Sequence, residues 1–146
     1  MIPEFISIGG VWNVLPPGIH DATLLELEQR FSTNEKRKDI FDGFKRGVEA
    51  LKIAGCKTVF LDGSFVSDKL YPGDFDACWD PTCIDINKLD PVLLDFSNRR
   101  QKQKQKYHGE FFPSSALADG SRTFVEYFQK DKDTGHAKGI IRIQLL

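Results

Sequence analysis

Long apolar runs, a secretion signal and paired cysteines are all missing from this sequence. No apolar run approaches the roughly 20 residues that span a bilayer, and no basic segment leads into an apolar stretch at the N-terminus. The cysteines are odd in number, and they lack the spacing and the second pair of a zinc knuckle: Cys56, Cys78 and Cys83. These absences argue against a membrane anchor, a disulfide framework and a structural zinc site. We expect a cytoplasmic protein.

An excess of charge of either sign is also missing. The chain has 20 basic and 21 acidic residues and a net charge of −1, so global charge neither favours nor excludes a nucleic-acid partner. A length of 146 residues fits one domain with a sizeable core. We therefore expect a single domain over residues 1–146, in which any contact with nucleic acid depends on a local patch.

The segment from Thr58 to Trp79 carries the clearest chemical pattern. It is typical of a buried strand ending at Gly63-Ser64, a short connection, and a second strand that opens with Asp74 and Asp76. Strand residues alternate between faces and rise about 3.3 Å each, so the two carboxylates share a face with Cα atoms roughly 6.5 Å apart. Acids at this spacing can bind one metal ion or a close pair, as in two-metal phosphoryl-transfer sites. The alternate side chains then face the core: Phe75, Ala77 and Trp79.

The Gly63-Ser64 pair suits an anion. Glycine after an apolar strand permits an unusual φ and a close backbone approach, and Ser64 with the amides that follow can begin a helix. The N–H groups at a helix start favour anions such as the β- and γ-phosphates of a nucleoside triphosphate. In front of the Asp-x-Asp pattern, this turn predicts that phosphate and metal are handled together.

The same acids have a plainer interpretation as a turn. Pro72-Gly73-Asp74 is an ordinary turn sequence, in which the aspartate bonds nearby backbone amides. A turn explains Asp74 but gives no purpose to Asp76, which is flanked by Phe75 and Trp79. A half-buried carboxylate there calls for a partner or a metal ion.

Leu61-Asp62-Gly63-Ser64 followed by Asp74-Phe75-Asp76 resembles the signature of the DNA polymerase β-like nucleotidyltransferase superfamily, and specifically of its minimal members. The wider chain is also similar to a family of small bacterial nucleotidyltransferase-like proteins. The matching stretches cover nearly the whole chain: Leu15–His20, Asp62–Val66, Pro72–Asp76 and Lys138–Arg142. The resemblance implies an α+β fold with a mixed β-sheet flanked by helices, the polymerase β-like palm.

The resemblance also implies a reaction. A nucleoside triphosphate and Mg²⁺ would lie beside the Gly63-Ser64 turn, with Asp74 and Asp76 as metal ligands and catalytic acids. An acceptor hydroxyl would attack the α-phosphorus and release pyrophosphate. Gly63, Ser64 and Lys138 would contact the nucleotide, with ATP favoured. Lys138 has the alternative interpretation of a solvent-exposed loop lysine.

The third carboxylate of such a site comes from a neighbouring strand in the superfamily. Glu110, in the short aromatic strand Tyr107–Phe112, is the first choice for this metal ligand and catalytic acid, and Glu126 is the second. Glu126 alternates with Phe124 and Phe128, so it is also typical of a charge that guards an exposed strand edge. A site with only two acids, or an inactive one, stays open.

Two classes of function follow. The first is a Mg²⁺-dependent nucleotidyltransferase that moves a nucleoside monophosphate onto a hydroxyl of RNA or of a partner protein. The second is a binding module, a nucleotidyltransferase fold that neutralises or scaffolds a partner without turnover. Minimal members of the superfamily often occur in toxin–antitoxin pairs, so the resemblance implies that either class could act beside a cognate toxin or antitoxin.

The rest of the chain is predicted to be scaffold. Asp21 is expected to cap a first helix through Phe31, Ser32 to cap a second that ends at Gly55, and Asp90-Pro91 to begin a third. The third helix runs into the basic stretch 98–106. This stretch is either a solvated helix end or a positively charged surface that attracts RNA or triphosphate. The two alternating segments 123–129 and 139–145 predict a hairpin around the turn 131–135.

Overall fold

Five strands and four α-helices make up the described part of the chain, residues 1–145 of a computed structural model. The prediction of an α+β fold with a mixed sheet flanked by helices is confirmed. No helix in this part is long and apolar enough to cross a membrane. The strands are β1 Gly18–Asp21, β2 Thr58–Asp62, β3 Phe75–Trp79, β4 Gly109–Pro113 and β5 Gly139–Gln144. The helices are α1 Leu24–Phe31, α2 Glu35–Ile53, α3 Ser97–Tyr107 and α4 Phe124–Phe128.

The sheet has the strand order β1-β5-β2-β3-β4. The two outer pairs, β1 with β5 and β3 with β4, are parallel, whereas β2 is antiparallel to both of its neighbours. Gly18 pairs with Gly139, so Leu15–His20 and Lys138–Arg142, the first and last stretches of the resemblance, lie side by side. The middle two stretches, Asp62–Val66 and Pro72–Asp76, meet where β2 ends and β3 begins.

The two faces of the sheet are covered differently. One face carries the main core, to which α1 and α2 contribute Leu27, Phe31, Phe44 and Val48 and the strands contribute Val59, Leu61, Phe75, Ala77, Phe111, Ile141 and Ile143. The opposite face carries a smaller cluster of Cys78, Phe128 and Ile140 with half-buried Phe60, Phe112 and Phe124. Because strand side chains alternate, the acids Asp62, Asp76 and Glu110 also lie on the second face.

Helix α2 lies close against α3 and β4 because it presents glycines there. A Cβ at Gly43 would lie 2.2 Å from the carbonyl oxygen of Tyr107, and one at Gly47 would lie 2.4 Å from the ring of Phe111. Either contact is far below van der Waals separation, so a larger residue would push the helix away from the strand that carries Glu110.

The predicted helices exist, but two of their N-caps were assigned wrongly. Thr23, not Asp21, caps α1 and forms a capping box with Glu26. Asn34, not Ser32, caps α2, and its side chain accepts a hydrogen bond from the Arg37 amide. In each case the residue directly before the helix is better placed than the earlier candidate to reach the orphan N–H groups of the first turn. The predicted stop at Gly55 is confirmed, since α2 ends at Ile53 and Gly55 has a φ of +98°.

The region after β3 contains a break that was not predicted. Asp90 caps a short 3₁₀ helix over Pro91–Leu94, which ends before the basic stretch. Residues 98–100 then take left-handed backbone angles before α3 becomes regular. The basic stretch is therefore regular α-helix only after residue 100, and the prediction of one continuous third helix from Asp90 is wrong.

The predicted C-terminal hairpin is half wrong. Gly139–Gln144 is a strand, but Phe124–Phe128 is a short α-helix that Thr123 and Glu126 begin with a capping box. The aromatic residues that suggested alternation pack on the second sheet face instead, where Phe112 and Phe124 stack with ring centroids 4.2 Å apart. Tertiary packing and the cap outweigh the strand propensity of this segment.

Candidate active site

Three adjacent strands bring three carboxylates into one row. Asp62 at the end of β2 pairs with Asp76 of β3, and Asp76 pairs with Glu110 of β4. The three side chains lie on the sheet face opposite α2, and Asp62 and Glu110 are almost completely buried, at 6% and 9% exposure. Residues that are partners in neighbouring strands lie close enough for their side chains to interact. The sheet therefore concentrates negative charge at Asp76.

Cations neutralise the two outer acids of the row. The ammonium of Lys138, at the start of β5, pairs with Asp62. Arg100 and Lys104, both from α3, bind Glu110 Oε1 at 2.9 Å and 3.1 Å. Arg100 reaches the acid from the left-handed turn at the start of α3, where its φ is +61°. The central acid, Asp76, has carboxylates on both sides instead.

This arrangement separates the proton affinities of the acids. Burial and the nearby charges of Asp62, Asp74 and Glu110 raise the pKa of Asp76 to about 8. Burial alone would raise the pKa of Glu110. Hydrogen bonds from Arg100, Lys104 and Asp76 outweigh burial and lower this pKa. Near neutral pH, Asp76 therefore holds a proton that it shares with ionised Glu110.

Asp74 lies one residue before β3 begins. It is half-buried, and burial together with the charge of Glu110 raises the pKa of its carboxyl. Lys104, Lys36 and Lys69 act in the opposite direction. Asp74 therefore belongs to the electrostatic environment of Asp76 and Glu110, although it does not line the cavity described below.

The Gly63-Ser64 turn lies in close contact with Asp76, the central acid of the row. Gly63 has a φ of +91°, and a Cβ built on it would lie 3.1 Å from both the amide nitrogen and Oδ2 of Asp76. A side chain at this position would be strained and would crowd the carboxylate. Ser64–Val66 form a single turn of 3₁₀ helix, so the predicted helix start after the glycine is present only in this short form, with Gly63 and not Ser64 at the N-cap and no side-chain cap.

A buried arginine holds the loop that follows this turn. Arg37 of α2 is 4% exposed, and its guanidinium donates to the carbonyl oxygens of Phe31, Phe65, Ser67 and Lys69. Three of these carbonyls belong to the loop after Ser64. Because the arginine supplies several donors in a rigid plane, it fixes the loop as a unit.

The carboxylates lie in a cavity of about 510 Å³, a volume typical of small-ligand sites. The N-terminal segment 10–14 and the loop 63–67 contribute to its lining, and Val14 and Ser67 are joined by a β-bridge. Aromatic rings and cations also line it, namely Phe112, Phe124, Tyr127 and Phe128 with Arg100, Lys130, Lys132 and Lys138. The cavity thus offers buried acids, positive charge and aromatic surface to one ligand.

Most of the site residues predicted from the sequence lie around the cavity. Gly63, Ser64, Asp76, Glu110 and Lys138 all line the cavity. The prediction that Glu110 lies on a short strand next to Asp76 is confirmed. Lys138 is not a solvated loop lysine, since its side chain is only 11% exposed.

Glu126 does not line the cavity, so its role as the alternative third acid is not supported. Its carboxylate accepts hydrogen bonds from the backbone and hydroxyl of Thr123 in the cap of α4. The predicted exposed strand edge at this position is likewise wrong because the segment is helical.

Two residues of the site were missed in the sequence. Asp62 is not among the predicted site residues, although an acid that ends a buried strand is a signal that it has a partner. Arg100 is one of several cations in the basic stretch, and nothing in its spacing shows that the chain turns left-handed there. Within residues 1–145, no group of three His, Cys, Asp or Glu side chains is arranged to hold a metal ion.

Asp76→Asn should stabilise the ligand-free protein, increasingly so as the pH rises. The raised pKa means that the folded state holds a proton which the unfolded chain, with a pKa near 3.8, releases. Wild-type stability therefore falls between about pH 4 and pH 8, whereas asparagine has no proton to lose. At about pH 9 we expect a gain of several kcal/mol, since each unit of pKa shift is worth about 1.4 kcal/mol, and a correspondingly higher Tm, with almost no gain near pH 4.

Thermal melting across this pH range measures the difference, with Asp42→Asn as a control. Asp42 is an exposed acid on α2 that pairs only with Arg46, so its substitution should give no such pH-dependent gain. A difference between wild type and Asp76→Asn that stays constant with pH would contradict a proton-binding Asp76.

Comparison with known proteins identifies a family but no function. No curated protein and no solved structure matches the chain. One family profile, described as a family of unknown function (DUF6932), matches residues 10–144. That span includes every residue that lines the cavity, from Gly10 to Lys138. The chain therefore belongs to this family of unknown function, DUF6932.

Proposed function

We propose that this protein is a Mg²⁺-dependent nucleotidyltransferase of the polymerase β-like type. It would move a nucleoside monophosphate from a nucleoside triphosphate onto a hydroxyl of RNA or of a partner protein. The observation that supports this most is the position of Asp76, which lies between Asp62 and Glu110 in the sheet and against the backbone of Gly63. A nucleotide bound there would have its phosphates beside the turn and its metal ion beside the acids.

The donor set fits magnesium in its chemistry. Mg²⁺ prefers oxygen ligands and is usually held by one or two carboxylates together with substrate phosphates. Asp76 and Glu110, which line the cavity with Asp62, would supply these oxygens, and Asp74, the other predicted ligand, would have to reach the ion from outside the cavity lining. When bound, the ion would neutralise the charge that develops on the phosphoryl oxygens during transfer.

The protein's own cations would exchange partners when the nucleotide arrives. In the ligand-free protein Arg100 and Lys104 occupy Glu110, and Lys138 occupies Asp62. A triphosphate offers these cations stronger anionic acceptors, because charge-assisted bonds to phosphate are short and favourable. Their transfer to phosphate would free the acids, and Asp76 would lose its proton as positive charge approaches it. The site would therefore fill cooperatively, with little metal affinity before the nucleotide binds.

A binding module without turnover is the second candidate. The observation in its favour is that both outer acids are already neutralised and that residues 1–145 contain no ready-made metal cluster. In that case the cavity would hold an anionic or nucleotide ligand, and the protein would act through a partner such as a cognate toxin or antitoxin. Asp76 would then contribute to stability and not to a reaction.

A labelling experiment separates the two candidates. The purified protein is incubated with each α-labelled nucleoside triphosphate, Mg²⁺, and either host RNA or a host lysate. An enzyme should leave label on a macromolecule, on RNA or on protein according to its acceptor, and chelation of Mg²⁺ should abolish the signal. Nucleotide binding in calorimetry without any labelled product would favour the binding module instead.

A further inference from the structure

Trp12 is the most exposed aromatic ring in the wall of the cavity. Its side chain is 42% exposed, whereas Phe112, Phe124 and Tyr127 are half-buried and Phe128 is 5% exposed. Tryptophan has the largest apolar surface of any side chain, and leaving much of it in water is unfavourable. An indole in this position is therefore available to a ligand.

Backbone contacts on both sides of the residue hold this segment in place. Val14 forms bridges with both Ile6 and Ser67. The amide of Asn13 donates to Asp68 Oδ1 at 2.8 Å, and the amide of Asp68 donates back to the carbonyl of Asn13 at 3.1 Å. The segment that carries Trp12 is thus bonded to the loop that follows Gly63-Ser64, and both segments line the cavity. Its place is set by its neighbours and not by burial of its own ring.

The other aromatic rings of the cavity are already engaged with the protein. Phe112 stacks on Phe124 at 4.2 Å and on Phe96 at 6.0 Å between ring centroids. The cationic groups of Arg122 and Lys132 lie over the ring of Tyr127 at 5.3 Å and 5.6 Å. Over Trp12 the structure places the ammonium of Lys69, at 5.6 Å on a flexible side chain. A planar ligand can displace the single flexible lysine over Trp12 more readily than it can separate two packed rings, or displace two cations from Tyr127 when one of them, Arg122, is paired with Asp119.

We propose that Trp12 stacks on the nucleobase of the nucleotide bound in this cavity. The inference rests on the proposed function in that the ligand is taken to be a nucleoside triphosphate. The phosphates would lie toward the Gly63-Ser64 turn and the cations, and the base would lie on the indole at the rim. Stacking on an aromatic side chain tolerates every base, because each base has a π-face. Trp12 therefore contributes affinity for the base without selecting one.

Calorimetry with ATP and with inorganic tripolyphosphate, both with Mg²⁺, tests the role of Trp12. Trp12→Ala should weaken ATP binding about 5- to 100-fold, the range expected for loss of one stacking contact, and leave tripolyphosphate binding unchanged. Trp12→Phe should retain most of the ATP affinity. Tyr71→Ala is the matched control, since Tyr71 is 64% exposed and does not line the cavity. It should bind ATP like wild type, and thermal melting confirms that each variant is folded.

The outcomes distinguish this inference from the proposed function. A folded Trp12→Ala that binds ATP as tightly as wild type would overturn the stacking role and leave the proposed phosphate site intact. An equal loss of ATP and tripolyphosphate would also overturn it, because the residue would then act on the shape of the loop. If the wild type binds neither ATP nor tripolyphosphate, both the stacking role and the proposed function fail.

Discussion

Nucleotidyl transfer should fall by about a hundred- to ten-thousandfold in Asp76→Asn, while the variant stays folded. Asparagine keeps the size of the side chain but removes the charge that would hold Mg²⁺. Metal stabilisation of a phosphoryl-transfer transition state is worth several kcal/mol, and each about 1.4 kcal/mol is a factor of ten in rate. The measurement compares initial rates of transfer for wild type and variant at equal nucleotide concentration.

Two further variants make this result specific. Asp42→Asn applies the same chemical change to an exposed acid on α2 and should keep its activity. Glu110→Gln should lose activity as well if Glu110 is the third metal ligand of the site. Undiminished transfer by folded Asp76→Asn would refute the proposed mechanism. Loss in Asp76→Asn without loss in Glu110→Gln would point to Asp62 as the acid that completes the site.

The free energy of unfolding should fall by about 3–5 kcal/mol in Arg37→Met. The substitution keeps a long side chain but leaves the carbonyl oxygens of the 65–69 loop without their donor in a buried position. Removing one partner from a buried charged contact typically costs this much, because the groups left behind have lost both water and protein. Urea denaturation followed by circular dichroism measures the change.

Arg46→Met provides the matched control for this loss. Arg46 is also on α2, but its side chain is 46% exposed, where it pairs with Asp42 and donates one hydrogen bond to the carbonyl oxygen of Lys106. Its replacement should cost less than about 1 kcal/mol. Arg37→Lys should fall between the two, because an ammonium cannot reach all the carbonyls that the planar guanidinium serves. Equal losses in Arg37→Met and Arg46→Met would show that the buried arginine does not organise the loop.

Local sequence signals were sufficient for the centre of the site. The apolar run before Gly63-Ser64 and the alternation of Asp74, Phe75 and Asp76 predicted two strands, and both are present with the expected faces. The aromatic segment around Glu110 was likewise predicted as a strand. These predictions succeeded because strand period and glycine conformation depend on a few consecutive residues.

Long-range partners could not be predicted in the same way. The pairing of Asp62 with Lys138 depends on β5 lying beside β2, and no local pattern specifies which strands are neighbours. The register of β3 against β4 is likewise a property of the assembled sheet. The sequence therefore indicated which acidic side chains lie together but not which cations neutralise them.

Competing local signals account for the remaining errors. Phe124, Glu126 and Phe128 alternate like a strand, yet Thr123 and Glu126 also have the spacing of a capping box, and the helix forms. Thr23 with Glu26 offers the same signal at α1, where Asp21 was preferred. A cap positioned directly before an amphipathic segment was the better guide at both places.

The ion pair between Lys138 and Asp62 also determines when the site can form during folding. The two residues are 76 positions apart in the chain, and β5, which follows Lys138, must insert between β1 and β2 to bring them together. Closing so long a loop carries an entropic cost that is recovered only once the strands pair. A nascent chain that has not yet emerged beyond residue 138 leaves Asp62 without its cation. The cavity is therefore among the last parts of the molecule to assemble, and any ligand that needs the Lys138–Asp62 pair would bind only to the completed fold.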